Sequence, residues 1–134
     1  MTTQEIQPGR RIDLAREVVG IGHSDRRARL VDQPGGPPQR IDGFTVGAPE
    51  ITGNDPHDGE MHPDGDELLF MLSGAVTVTL ELADGDRLVD LGAGDAVVVP
   101  KGVWHRIAMR APGRLIHITP GPNGDARPVA DSAR

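Results

Sequence analysis

Residues 67–82 read ELLFMLSGAVTVTLEL, and this stretch decides the fold class. Its first part, residues 67–73, is a nearly continuous apolar run, which is typical of a strand buried on both sides. Ser73 and Gly74 form a predicted turn. Residues 75–82 then alternate apolar and polar side chains with a period of two, which predicts a strand with one buried face and one solvated face.

Further strands follow on both sides of this stretch. Asp84-Gly85 is a hairpin signal, and Gly92, Gly94, Pro100-Lys101-Gly102 and Pro112-Gly113 separate the apolar segments downstream of it. These segments are 86–91, 95–99, 103–109 and 114–119, with another around 44–46. Short strands at such spacing indicate an all-β sandwich or barrel, and no helical pattern of 10–15 residues lies between them.

The chain of 134 residues is expected to form one domain. We assign residues 41–119 to the barrel and 1–40 to a partly ordered N-terminal extension. Residues 120–134 are polar and rich in Gly, Pro and Asp, which predicts a flexible C-terminal tail. Within the extension, the apolar positions of 12–19 fit a short helix and an irregular strand equally well.

Composition excludes several classes of function. The net charge of −6 and an aromatic content of 2% argue against a nucleic-acid partner, which needs basic contacts and stacking platforms. There is no cysteine, so thiolate metal sites, disulfides and cysteine nucleophiles are ruled out. No apolar run approaches the roughly 18 residues that span a bilayer, so no membrane partner is expected, and the default location is the cytoplasm.

Two short segments carry the metal-binding side chains Glu60, His62, Glu67 and His105. Glu60 and His62 are two apart, so on an extended chain both project to one side. A turn over 63–66 brings Glu67 beside them, and His105 begins a later strand after a Pro-x-Gly turn. Oxygen and imidazole donors suit Zn²⁺, Fe²⁺, Mn²⁺, Ni²⁺ or Cu²⁺. Two alternatives stay open at this point: a solvated acidic turn, and a core role for His105.

The two segments resemble the motifs of the cupin superfamily of small β-barrels. In the first motif, His62 is followed by four residues, Glu67, six residues and Gly74, which is the family spacing. In the second motif, Gly94, Pro100, Gly102 and His105 stand at the family spacing. The resemblance covers about residues 41–119 and implies a single antiparallel barrel of the jelly-roll type. A cupin stripped of its metal site would keep the same barrel.

The resemblance implies His62, Glu67 and His105 as metal ligands. The first histidine of the family motif falls at Glu60, so the resemblance implies Glu60 as a carboxylate ligand in its place. The opening glycine of the first motif has no counterpart, and the closing asparagine of the second is Met109. A set of two histidines and two carboxylates favours Fe²⁺ or Mn²⁺, with Ni²⁺ or Zn²⁺ as alternatives. A second arrangement has His57 as the third imidazole, with Glu60 as a base or as a group behind the ligands.

Alternation also predicts which side chains face the site. Leu69, Met71, Val97, Val99, Ile107 and Met109 either line an apolar cavity beside the metal or fill the barrel core. Trp104 is offset by one residue from His105 and is expected to face the other way, into a sheet or dimer contact. The apolar residues on both faces of 67–72 predict a homodimer, to which residues 11–32 contribute.

Two functions are consistent with these residues. The first is a metal-dependent enzyme acting on a small oxygen-bearing organic substrate, of the dioxygenase, isomerase or cyclase type found among cupins, with Glu60 as the catalytic residue. The second is a cupin that binds or senses a small ligand without turnover. A fold alone does not decide between them.

Overall fold

A computed structural model describes residues 3–32 and 39–128 of the chain. Those residues form eleven strands and no helix, so none of them makes a helix able to cross a membrane. The strands are β1 (Thr3–Glu5), β2 (Val18–Gly22), β3 (Ala28–Val31), β4 (Gly43–Gly47), β5 (Glu50–Ile51), β6 (Glu60–Met61), β7 (Glu67–Leu82), β8 (Gly85–Leu91), β9 (Ala96–Val99), β10 (His105–Gly121) and β11 (Asp125–Ala126). All pairings are antiparallel. The predicted all-β class is confirmed.

Two long strands, β7 and β10, run side by side through the centre of the fold. They pair from His105 opposite Leu80 at one end to Ile118 opposite Leu68 at the other. The predicted turn at Ser73-Gly74 and the predicted break at Pro112-Gly113 are therefore wrong, because both segments stay within continuous strands. The register shifts between Met109 and Leu115 instead, so both strands bend at their middles.

Glycine permits this bend because the two backbones come very close. A Cβ placed on Gly113 would lie 2.1 Å from the carbonyl oxygen of Ser73. Gly74 has a φ of 75°, in the left-handed region that favours glycine. The residues that look like chain breakers in the sequence are thus the residues that let two strands cross from one sheet to the other.

Each half of the long strands belongs to a different layer. The first layer has the order β1-β3-β2-β4-β10-β7-β9, using the C-terminal half of β10 and the N-terminal half of β7. The second has the order β11-β6-β10-β7-β8, using the opposite halves. This arrangement places the first residues of β7 and β10 at the same end of the barrel.

The core lies between the two layers and is aliphatic. Its buried members are Leu69, Met71, Val76, Val78, Leu80, Leu91, Val99 and Leu115, and Val97 and Ile107 pack against them. Fully burying one such side chain stabilises the fold by about 1.5–3 kcal/mol. Of the side chains predicted to face the site, Leu69, Met71 and Val99 belong to this core.

Both ends of the chain contribute strands. The segment 12–19 contains no helix, and only its end is a strand. A turn over 14–16 leads into β2. The Asp13 carboxylate accepts a hydrogen bond from the amide of Ala15 in this turn. The expectation of a flexible tail from residue 120 differs from the structure, because β10 runs to Gly121 and β11 pairs with β6. The last six residues, 129–134, lie outside the described residues.

Candidate metal centre

The ends of three strands place the four predicted side chains together. Glu60 lies on β6 directly opposite His105, the first residue of β10. His62 follows β6, and Glu67 opens β7 after the turn over 63–66. The ligand atoms of all four lie within 4.8 Å of one another, so these residues form a group that can hold a metal ion.

Two hydrogen bonds fasten the loops that carry these residues. The amide of Gly102 donates to the carbonyl oxygen of His62 over 2.9 Å. The amide of Lys101 donates to Oδ1 of Asp66 over 2.8 Å. The Pro-x-Gly turn before His105 is thus tied to the loop between His62 and Glu67, and the two sequence motifs meet through their backbones as well as their side chains.

Short distances link the four side chains in a row. Nε2 of His62 lies 3.0 Å from Oε1 of Glu60 and 3.4 Å from Oε2 of Glu67. Nε2 of His105 lies 3.0 Å from Oε1 of Glu67. His62, Glu67 and His105 are buried, whereas 26% of the Glu60 side chain is exposed. Glu60 is therefore the member of the group that meets the solvent.

The chemistry of these atoms fits a divalent cation. Nε2 of His62 and Oε1 of Glu67 are buried and make no hydrogen bond of good geometry to any described residue. Buried polar atoms are rarely left without a partner, and such exceptions are common at metal and catalytic sites. Two carboxylates also supply two negative charges, which balance the charge of a divalent ion bound by oxygen and imidazole donors.

Electrostatics couples the protonation of the four groups. Burial alone would lower the pKa of His62, but the carboxylates of Glu60 and Glu67 outweigh it and raise that pKa to about 9. Burial likewise opposes protonation of His105, and Glu67 raises its pKa. Burial would raise the pKa of both glutamates, yet the histidines beside them hold the pKa of Glu67 and of Glu60 below the usual value. Without a metal, protons on the imidazoles balance the carboxylates.

Metal affinity is expected to depend on pH because a protonated imidazole cannot bind a metal. Between pH 6.5 and about 9 a metal ion must displace at least the His62 proton, so apparent Mn²⁺ affinity should rise about tenfold per pH unit. The metal-free protein should behave oppositely. The raised pKa of His62 contributes stability that is fully present below pH 6.5 and is lost as the pH rises through about 9.

Anaerobic calorimetric titrations between pH 6.5 and 8.5, paired with melting curves of the metal-free protein, check this prediction. If the Mn²⁺ affinity does not change with pH over this interval, the metal does not displace protons from the two imidazoles.

His57 lies beyond the group of four, against Glu60. Its Nε2 is 3.0 Å from Oε2 of Glu60, on the carboxylate oxygen that does not face His62. In this arrangement His57 supports Glu60 and does not replace it among the clustered atoms. Asp64 and Asp66 lie in the segment 63–66 that leads to Glu67, and both accept hydrogen bonds from backbone amides, of Asn123 and Lys101 respectively.

Sequence reasoning missed two residues behind Glu67. The hydroxyl of Thr119 donates to Oε2 of Glu67 over 2.6 Å, and Nδ1 of His117 lies 2.9 Å from the same hydroxyl oxygen. Burial and the charge of Arg40 lower the pKa of His117 to about 4, so its ring is neutral at physiological pH. Alternation within 114–119 puts His117 and Thr119 on one face. Because β10 contains bulges, counting alternate residues from His105 does not show that this face is the one directed at the site.

The C-terminal segment also supports the site and was not predicted to do so. Strand β11 pairs with Glu60 and Met61, and the amide of Arg127 donates to the carbonyl oxygen of Gly59 over 2.9 Å. The guanidinium of Arg127 lies 4.2 Å from the centre of the Trp104 ring and forms an ion pair with Glu81. Trp104 thus contacts this segment. That its side chain faces away from His105, into a sheet or dimer contact, stays a prediction.

Comparison with known proteins agrees with this geometry. Residues 51–119 match the cupin domain family. A cupin-2 domain containing protein from Shewanella frigidimarina has a solved structure that is 22% identical, with a TM-score of 0.50 over 61% of this chain and 74% of that one. Oxalate decarboxylase of Bacillus subtilis, described as having Mn(II) centres, is 19% identical, with a TM-score of 0.54 over 62% of this chain and 23% of that one.

No curated protein sequence matches the chain significantly. The likeness to the two solved structures shows the fold, and the family match covers just over half of the sequence, including both segments that carry the four clustered side chains. The chain belongs to the cupin domain family.

Proposed function

We propose that this protein is a metal-dependent cupin that binds Fe²⁺ or Mn²⁺ through Glu60, His62, Glu67 and His105. One observation carries the proposal: the four residues offer ligand atoms within 4.8 Å of one another, and Nε2 of His62 and Oε1 of Glu67 are buried without a hydrogen-bond partner among the described residues. Cysteine is absent, so the hard and borderline donors favour these ions over soft ones. The Mn(II) centres named for the oxalate decarboxylase structure are consistent with this choice.

The activity we propose is that of a dioxygenase or isomerase-like enzyme on a small oxygen-bearing organic substrate. A bound Fe²⁺ or Mn²⁺ ion polarises the oxygen atoms of such a substrate and, in the case of iron, supplies redox chemistry. The protein contributes a dry, buried set of ligands on one side and Glu60 on the side that meets solvent. A substrate approaching from that side reaches Glu60 first.

Glu60 suits the role of a proton acceptor. Its pKa lies below the usual value, which leaves it ionised at neutral pH but a weaker base than an ordinary glutamate, so its suitability rests on its position and orientation. His57 contacts its outer oxygen. Oε1 faces His62 and Oε2 faces His57, so the carboxylate is oriented by two imidazoles before any substrate arrives. A base held in one orientation transfers protons more effectively than one that must be ordered during the reaction.

Substitution of Glu60 tests its proposed role as a ligand. Glu60→His restores the usual His-x-His pair of the family and removes one negative charge, so the ratio of Ni²⁺ to Mn²⁺ affinity should rise about tenfold or more. Glu60→Gln should weaken Mn²⁺ binding without that change of preference. Glu50→Gln, on the exposed residue of β5, is the matched control and should bind both ions like the wild type. Equal Ni²⁺ to Mn²⁺ ratios in the wild type and Glu60→His would remove Glu60 from the ligand set.

Turnover distinguishes an enzyme from a binding or sensing module. The iron-loaded protein is incubated with small α-hydroxyketones, β-diketones and catechols while oxygen consumption and substrate spectra are followed. The proposal expects turnover of at least one compound class by the wild type and its loss in Glu60→Gln. Saturable binding of a compound with no change in it or in oxygen would support the non-catalytic alternative.

We further infer that the protein is a homodimer that pairs through the outer face of its first layer. Side chains of residues that pair across adjacent strands form an apolar row on that face, from β2 to β9. A second apolar row lies beside it. Val98 and Phe44 on this face are 50% and 42% exposed. Apolar rows of this kind on an outer face are typical of a protein–protein contact. The first row is Val19, Val46, Ile118, Leu68 and Val98, and the second contains Ile116, Phe70 and Ala96.

A charge in the middle of this surface should separate the two copies. Val98→Glu is expected to convert a dimer into a monomer in size-exclusion chromatography with light scattering, because an unpaired carboxylate would be buried in the contact. Leu88→Glu is the control, since Leu88 is 66% exposed on β8 of the other layer. A wild-type protein with the mass of one chain would contradict the dimer. Location in the cytoplasm and the absence of a nucleic-acid or membrane partner stay predictions.

A further inference from the structure

The hydrogen bonds behind Glu67 fix which way each proton points. The Glu67 carboxylate lies 2.6 Å from the Thr119 hydroxyl and, as an ionised carboxylate, only accepts hydrogen bonds. The single hydroxyl proton of Thr119 is therefore donated to Oε2 of Glu67. Because that proton is used, the Thr119 oxygen must accept from Nδ1 of His117, which lies 2.9 Å away. The chain of contacts determines the tautomer: His117 carries its proton on Nδ1.

The fold holds all three residues rigidly. Ile118 pairs with Leu68, so Thr119 lies one step along from that pair, beside Glu67. Thr119 and Glu67 are 0% and 3% exposed. A Cβ added at Gly47 would lie 2.6 Å from Nε2 of His117, so the glycine on the neighbouring strand leaves the room that the imidazole occupies. Gly47 thus makes room for the imidazole of His117.

The two oxygens of Glu67 are consequently unequal. Oε2 accepts a hydrogen bond from the Thr119 hydroxyl and lies 3.4 Å from Nε2 of His62. Oε1 has no hydrogen-bond partner of good geometry among the described residues and lies 3.0 Å from Nε2 of His105. Oε1 is the oxygen left for a cation. We propose that Thr119 and His117 are positioning residues that orient the Glu67 carboxylate, so that Oε1 binds the metal ion and Oε2 does not.

This inference rests on the proposed metal site and can be tested separately from it. Groups that hydrogen-bond to a metal ligand typically change metal affinity by about 10- to 100-fold when removed. Thr119→Val keeps the shape of the side chain and removes its hydroxyl. Thr119→Ser keeps the hydroxyl. Gly47→Ala alters no polar group and displaces the imidazole of His117. Thr79→Val removes a buried hydroxyl elsewhere on β7 and is the control.

The dissociation constant of Mn²⁺ is measured by calorimetry for the wild type and these variants. We expect Thr119→Val to raise it about 10- to 100-fold, Gly47→Ala to raise it by less, and Thr119→Ser and Thr79→Val to leave it near the wild-type value. Equal constants for the wild type and Thr119→Val would overturn the inference. Melting temperatures of the metal-free variants show whether a change in affinity reflects loss of the fold.

A nuclear magnetic resonance experiment on the metal-free protein provides a readout that needs no metal. The ring of His117 should show a slowly exchanging proton on Nδ1, and Thr119→Val should remove its protection and shift the carboxylate carbon resonance of Glu67. A proton on Nε2 of His117 in the wild type, or an unchanged Glu67 resonance in Thr119→Val, contradicts the inference. If the wild type binds no Mn²⁺, the proposed function fails, while these resonances still decide whether Thr119 orients Glu67.

Discussion

Replacing His105 by alanine should abolish metal retention and leave the fold in place. His105 opens β10 opposite Glu60, and its Nε2 lies 3.0 Å from Oε1 of Glu67, so it connects the two motif segments. Loss of a direct ligand should cost more than the effect of a residue behind a ligand, so Mn²⁺ affinity should fall more than about 100-fold. The rise in melting temperature produced by Mn²⁺ in the wild type should disappear with it.

His23→Ala is the matched control for this variant. His23 is exposed in the loop after β2 and lies outside the clustered ligand atoms. The His23→Ala variant removes an imidazole without changing the site. Its metal content and Mn²⁺-dependent shift in melting temperature should therefore equal those of the wild type. If His105→Ala retains as much metal as His23→Ala, the assignment of His105 is wrong.

Gly113→Ala should strongly destabilise the barrel. The added methyl group would lie 2.1 Å from the carbonyl oxygen of Ser73 and 2.5 Å from the amide nitrogen of Gly74, both of them backbone atoms. Relief requires β7 and β10 to separate where they bend, which should lower the free energy of unfolding by about 3 kcal/mol. For a chain of this length that corresponds to a fall of about 10 °C in melting temperature.

Gly53→Ala is the comparison, because a Cβ at Gly53 meets nothing within 4 Å. Its melting temperature should match the wild type or exceed it slightly. Circular dichroism melts of the metal-free proteins measure both. A Gly113→Ala protein as stable as Gly53→Ala would mean that the close crossing of the two long strands does not constrain the fold.

Alternation predicted most of the strands and the core because a strand buried on one face repeats every second residue. It placed Leu69, Met71 and Val99 in the interior, where the structure has them. It failed at Ser73-Gly74 and Pro112-Gly113, because the same residue types occur both in turns and where a strand bends between layers. Only the register of β7 against β10 distinguishes the two, and that register depends on contacts between residues 25 to 50 positions apart.

The spacing of the two segments predicted the four clustered side chains, because each stands at the end of a strand or in a short turn. The residues behind them were out of reach for a physical reason. Thr119 contacts Glu67 across 52 positions. Asn123, in the segment whose composition predicted flexibility, contacts Asp64 across 59. Backbone pairing between β11 and β6 orders that segment, and short two-residue strands carry almost no periodicity.

The central claim is that Glu60, His62, Glu67 and His105 together bind one divalent ion. Calorimetric titration of the metal-free wild-type protein with Mn²⁺ tests it most directly, under anaerobic conditions at pH 7.5 and with Glu67→Gln titrated in parallel. We expect one ion bound per chain, release of protons from the imidazoles, and loss of this binding in Glu67→Gln. Absence of saturable binding, or equal binding by the wild type and Glu67→Gln, would contradict the claim.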